Sequence, residues 1–286
     1  MQSIVTAAWR SDRRPLVPCT VGDLAWWVAQ AGPDADLSTR VRIWFESDEP
    51  VAWGWLNPPA SLDWFVGVGL EADAAKSVRS AMIDWLQEAA GPTGQATAWA
   101  ADGWAEASFL RDRGFAPQGA VLTQFYRPLD RQLRQPELPA GYTIRSLTGP
   151  EEIPARVDVH RAAFAPSKMT AAKYELLVRL DHYDYERDLV AIAPDGTFAA
   201  FTMCWLDADA AIGEFEPVGV HPDHQRRGLG RAINLAGLRR LRELGANDAM
   251  VFSEQSNAAS EALYRSVGFH EVAVHRAYVK PSDVGR

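Results

Sequence analysis

Residues 218–231 read Val-Gly-Val-His-Pro-Asp-His-Gln-Arg-Arg-Gly-Leu-Gly-Arg, and few folds accommodate such a run. Val218 and Val220 are β-branched and suit a strand, which His221-Pro222 brings to a stop. Ala232, Leu235, Leu238 and Leu241 then recur at helical spacing. The chain therefore passes from a strand through a polar turn into an amphipathic helix. Free N–H groups at a helix N-terminus, with the positive end of its dipole, form a phosphate seat. Gly228 and Gly230 let the backbone come close to an anion because no Cβ intervenes. Arg226, Arg227 and Arg231 add positive charge around that seat. The spacing is neither the Gly-x-Gly-x-x-Gly of a dinucleotide fingerprint nor the Gly-Lys-Ser/Thr ending of a Walker loop.

A second segment, residues 257–269, reads Asn-Ala-Ala-Ser-Glu-Ala-Leu-Tyr-Arg-Ser-Val-Gly-Phe. Asn257 is a good N-cap, Ala258 to Val267 suits a helix, and Gly268 is the usual stop just past its end. Between the two segments, Ala249-Met250-Val251-Phe252-Ser253 is a short apolar run that reads as a buried strand. Gln225-x-x-Gly228-x-Gly230 followed by Asn257…Leu263-Tyr264…Gly268-Phe269 resembles the paired signatures of the GCN5-related N-acetyltransferase (GNAT) family. The order is strand, phosphate loop, helix, strand, Asn-capped helix and Gly-Phe strand.

That resemblance implies an acetyl-CoA-dependent transfer to an amine, with no metal. The backbone of Val218, Gly219 and Val220 would hold the pantetheine arm where this strand splays from its neighbour near 249–253. Gln225, Arg226, Arg227, Gly228, Leu229, Gly230 and Arg231 would hold the pyrophosphate, and Asn257 would approach the cofactor near the splay. Tyr264 is the candidate general acid: a phenol with an ordinary pKa of about 10 suits protonation of a departing thiolate. Glu214 lies six residues before Val220, where histone-type members place a catalytic glutamate. Glu216 is two residues on, so it shares the same strand face. Two close carboxylates raise one pKa, as a base near neutral pH requires. Glu214, Glu216 and a water chain remain the candidates for the base.

The chain also repeats. Val66-Gly67-Val68 matches Val218-Gly219-Val220, 152 positions later, and each precedes an amphipathic helix, 74–90 and 228–245. Phe109 to Gly114-Phe115 then matches Leu263 to Gly268-Phe269. Strand-like runs precede both copies, at 42–45 and 51–55 and again at 189–192 and 198–205. The expected architecture is a mixed α/β chain of two tandem GNAT folds, 1–127 and 142–286, joined by the proline-containing stretch 128–141. The first copy has Asp73, Lys76 and Val78 where the second has Gln225, Gly228 and Gly230, and Leu110 where it has Tyr264. It is therefore expected to support the second copy rather than bind coenzyme A. Its tryptophans, such as Trp53 and Trp64, read first as core and second as an aromatic pocket wall.

A net charge of −8 and a pI near 5.3 speak against nucleic-acid or anionic-membrane partners and favour a neutral or cationic substrate. Cys19 and Cys204 are the only cysteines, so neither a disulfide framework nor a cysteine zinc site is expected. Met1 to Arg14 has no apolar core of a leader, and no stretch is long enough to span a bilayer. A cytoplasmic monomer or homodimer is expected. The tandem architecture resembles mycothiol synthase-like proteins, which acetylate a cysteinyl sugar conjugate. Aminoglycosides, other polyamines, and protein N-termini or lysines are the alternative acceptors. An acyl-CoA sensor without turnover and a purely structural subunit are the rivals from other classes. His160, His182, Tyr183 and Tyr185 read as surface residues of the substrate-side helices.

Overall fold

The computed structural model describes residues 1–11, 16–92, 94–130 and 132–281, so residues 12–14 of the leader reading lie outside the described residues. The first half runs α1 (Gln2–Trp9), α2 (Val21–Ala31), β1 (Val41–Glu46), β2 (Glu49–Asn57), β3 (Ser61–Val66), α3 (Ala72–Ala90), β4 (Ala96–Ala101), α4 (Ala105–Asp112) and β5 (Ala116–Pro128). The second half follows with β6 (Thr143–Ser146), α5 (Ile153–Ala163), α6 (Ala171–Leu177), β7 (Asp188–Ile192), β8 (Phe198–Asp207) and β9 (Ile212–Val220). It closes with α7 (Leu229–Glu243), β10 (Asp248–Glu254), α8 (Ala258–Ser266) and β11 (His270–Lys280). The repeat read from the sequence is thus a repeat of elements: β3, α3, β4, α4 and β5 correspond to β9, α7, β10, α8 and β11.

The eleven strands of the described residues form one sheet, in the order β1-β2-β3-β4-β11-β5-β10-β9-β8-β7-β6. The last strands of the two halves are exchanged. β11 from the second half pairs with β4 of the first, and β5 from the first half pairs with β10 of the second. β5 and β11 also pair with each other, antiparallel. Each half therefore completes the other's sheet, which no local pattern announces.

Helices cover both faces. α3 and α4 pack Met82, Leu86 and Leu110 on the β2–β4 face that carries Leu62 and Trp64. α7 and α8 pack Leu235, Leu238 and Tyr264 against Phe125, Phe215 and Val251. On the opposite face α2 crosses from half to half. Leu24 joins Trp53, Trp55 and Phe65 of the first half, whereas Trp26 and Ala29 join Tyr174, Met203 and Trp205 of the second. Gly22 permits this crossing: a Cβ there would stand 2.2 Å from Trp205 Cγ. His160 is buried rather than at the surface, stacked on Phe201 at 5.6 Å, and burial lowers its pKa to about 3. Tyr183 likewise turns inward and donates to Asp188 Oδ2 at 3.2 Å.

Candidate active site

β9 and β10 pair in parallel over three residues only, ending at Glu214–Met250, although β9 continues to Val220 and β10 to Glu254. The strands diverge beyond that point, as the resemblance implies. A register shift against β8 lies at the same place, between the Cys204–Phe215 and Thr202–Val218 pairs. It puts Glu216 and Pro217 opposite Met203, and such a bulge bends its strand. Pro217 has no N–H to offer a neighbour. The Trp205 indole N–H donates to the Glu216 carbonyl at 2.7 Å and holds the bend. Gly219 is required for packing, since a Cβ would meet Phe201 at 2.4 Å and Ala163 at 2.9 Å.

After β9 the turn 221–228 leads into α7. Gly228 is its N-cap, in the left-handed region at φ +82°, and a Cβ there would meet nothing within 4 Å. Gln225, Arg226, Arg227 and Gly228 are exposed, whereas the Leu229 side chain is buried, leaving only its backbone for a ligand. Gly230 sits where a Cβ would press on Leu263 at 3.2 Å, so this glycine also lets α7 approach α8. The first half differs at this point. α3 starts at Ala72, so Asp73, Lys76 and Val78 already lie in the helix, and Glu71 and Asp73 put negative charge at its N-terminus. That charge opposes an anion.

One cavity of about 650 Å³ collects residues from both halves. Glu216, Val218, Asn257 and Tyr264 line it from the opened β9–β10 end. The first half contributes Cys19, Asp23, Asp63 and a wall of tryptophans: Trp26, Trp27, Trp53, Trp64, Trp99 and Trp104. Trp26, Trp53 and Trp64 are core residues at the same time, whereas Trp55 and Trp85 are core residues outside the lining. β3 and β4 diverge as β9 and β10 do, after Leu62–Ala98, which opens the first half's end of the cavity. Glu214, Gly219, Val220 and residues 225–231 are outside its lining.

Asn257 caps α8, its Oδ1 accepting from the Ser260 N–H at 3.1 Å. Tyr264 is held between Phe125 and Phe269, with ring centroids 5.9 and 6.0 Å away, and burial followed by the Glu216 charge raises its pKa. Burial, then Asp23, pushes Glu216 up to about 8. Glu214 is 1% exposed and accepts a hydrogen bond from Thr20 Oγ1. Burial, then Asp23, raises its pKa well above the ordinary carboxylate range. Asp23 is itself raised to about 6 by burial and accepts from the Thr20 N–H at 2.8 Å. Asp63 is raised to about 7 by burial, then by Asp23, and accepts from Asn57 Nδ2 at 2.7 Å.

Thr20, Asp23 and Asp63 escape a reading by motif. Thr20-x-x-Asp23 is the signature of a capping box, and the structure contains that box. The only hint of more is a carboxylate inside each of two apolar runs, Val21 to Val28 and Leu62 to Val66. Among the described residues no group of three or more His, Cys, Asp or Glu is placed to hold a metal ion. No described helix is long and apolar enough to cross a membrane. Both cysteines are free and buried.

The model of the acetyltransferase (GNAT) family matches residues 156–269. A mycothiol acetyltransferase of Saccharopolyspora erythraea is 36% identical over 165 residues, 56% of this chain and 54% of that protein. One from Pseudarthrobacter chlorophenolicus is 29% identical over 293 residues, 94% of this chain and 87% of its own. The chain thus spans about half the length of the first of these relatives and most of the second. In fold it is similar to a GCN5-related N-acetyltransferase from Sphaerobacter thermophilus, with a TM-score of 0.66 at 18% identity over 100% of this chain and 92% of that one. It is similar also to a tandem GNAT protein from the clavulanic acid biosynthesis pathway, at 0.65 and 15%, over 100% and 94%. With both signatures in place and this fold, residues 156–269 match the GNAT family, and the whole chain has the fold of tandem GNAT proteins.

Proposed function

We propose that the chain moves the acetyl group of acetyl-CoA to a primary amine of a small, cationic molecule by direct attack in a ternary complex. The observation that carries this reading is the meeting of Glu216 and Tyr264 in one cavity, at the point where β9 leaves β10. Acetyl-CoA supplies the activated thioester, and every other requirement falls to the chain. The free edge of Val218, Gly219 and Val220 offers backbone groups to an extended arm. The turn 225–231 offers amides and arginines to the pyrophosphate, with Asn257 beside the arm.

Amine attack needs the nucleophile unprotonated. Glu216, with a pKa raised to about 8, takes a proton from the ammonium in its ionised form, and the free amine attacks the thioester carbon. The C–S bond breaks as Tyr264, whose raised pKa keeps it protonated, gives its proton to the departing sulfur and regains one from the nitrogen of the new amide. Glu214 does not reach the cavity, and its bonded partners suit a positioning role behind Glu216. A cationic acceptor agrees with a lining that contains aspartates and glutamates but no lysine or arginine among the described residues. The relatives named mycothiol acetyltransferases support a small-molecule acceptor. Two free thiols suit a reducing cytoplasm.

Calorimetric titration with acetyl-CoA, beside Gly228→Glu, tests the cofactor seat. One site per chain, lost in the variant, is expected. Two sites would give the first half a share in cofactor binding, and no binding would overturn the enzyme reading. Thiol release that depends on added amine separates a transferase from a sensor.

A further inference from the structure

The cavity has a second end that acetyl transfer does not use. There β3 and β4 diverge, and Asp63 stands on the strand face opposite to that of Leu62 and Trp64. Its carboxylate interacts with Asp23, which interacts in turn with Glu216, so one acidic line joins the two ends of the cavity. Trp53 lines the same space, is 1% exposed, and carries a buried indole nitrogen without a hydrogen-bond partner in the structure. Buried N–H groups are seldom left in that state, and one on a residue of a cavity wall suits an incoming oxygen. Indole faces attract cations, and desolvated carboxylates do so more strongly.

We propose that the opened β3–β4 pair of the first half is an acceptor subsite for a second cationic group. The acceptor is then a hydroxylated diamine or an amino sugar with two amines. One amine lies at Glu216, the other ammonium is held by Asp63 and the tryptophan wall, and an oxygen accepts from Trp53 Nε1. This rests on the amine-acceptor reading above. It gives the first half a task without a phosphate loop: it selects the acceptor.

The test is calorimetry on the full chain, first titrated with coenzyme A and then, at saturation, with amines. A series of α,ω-diamines of three to eight carbons is compared with the monoamines of equal length, and 1,3-diamino-2-propanol with 1,3-diaminopropane. At least one diamine is expected to bind about tenfold or more tightly than its monoamine, as a second held cation provides. Asp63→Asn is expected to erase that preference, and Trp53→Phe to erase any preference for the hydroxylated diamine. Equal binding of diamines and monoamines, or a preference that survives Asp63→Asn, overturns the subsite while leaving the transferase reading intact. Failure to bind coenzyme A overturns the transferase reading instead, and the diamine comparison on the free chain still decides the subsite.

Discussion

Thr20 and Glu214 are hydrogen-bonded across 194 residues of sequence, the threonine hydroxyl donating to the glutamate carboxylate. Thr20 also caps α2 through the Gly22 N–H, which reaches its Oγ1 at 2.9 Å. The N-terminus of a first-half helix is thereby fixed to the strand that carries the candidate base. The two halves are tied together beside the cavity that both of them line.

If Glu216 is the base, kcat/KM rises with pH and levels off above an apparent pKa near 8, because only the ionised carboxylate accepts a proton. Glu216→Gln is expected to lower kcat by about 10²–10³-fold and to remove that limb of the profile. Glu214→Gln, which acts only through its neighbours, is expected to shift the limb rather than erase it. A pH–rate series on the three proteins checks this.

Tyr264→Phe removes a hydroxyl and keeps the ring between Phe125 and Phe269. Folding should therefore be nearly unaffected, while kcat falls about 10²-fold if the phenol protonates the leaving sulfur. Thermal melting and steady-state kinetics together separate this from a packing role, in which Tm would fall and kcat would follow it only through lost protein.

Gly228 and Gly230 should fail differently. Gly228→Ala meets no neighbour but forces a side chain to φ +82°, at a cost of about 1–2 kcal/mol, and places a methyl at the proposed anion seat. Gly230→Ala pushes on Leu263 instead and disturbs how α7 meets α8. Coenzyme A affinity measured against Tm should show a loss of binding out of proportion to stability at Gly228, and the reverse emphasis at Gly230.

Gly22→Ala would drive a Cβ into Trp205, and overpacking of this kind costs about 1–3 kcal/mol. Because the displaced residues adjoin Thr20 and Asp23, the variant is expected to lower activity as well as Tm, although it stands in the half without the phosphate loop. Denaturant titration with parallel kinetics tests the link. Full activity in a destabilised variant would show that α2 does not position the base.

The strand–turn–helix at 218–231, the Asn257 cap, the Gly268 stop and the repeat of elements were legible because each depends on residues near one another in the chain. A left-handed glycine, a cap or a helical stripe is decided within one or two turns of backbone. Those patterns alone determined the two-copy α/β plan and pointed to one phosphate seat. They also showed Asp73, Lys76 and Val78 in the first half where the second has Gln225, Gly228 and Gly230. Only the tertiary structure decided that β5 and β11 change places, because strand exchange depends on pairings between residues more than a hundred positions apart, such as Met250 with Tyr126. The same holds for Glu214 and Glu216: spacing puts both on one strand face, and only packing buries the first behind α2 and leaves the second at the cavity. Asp23, Asp63 and Trp53 likewise acquire their candidate roles from long-range contacts, which local periodicity does not encode.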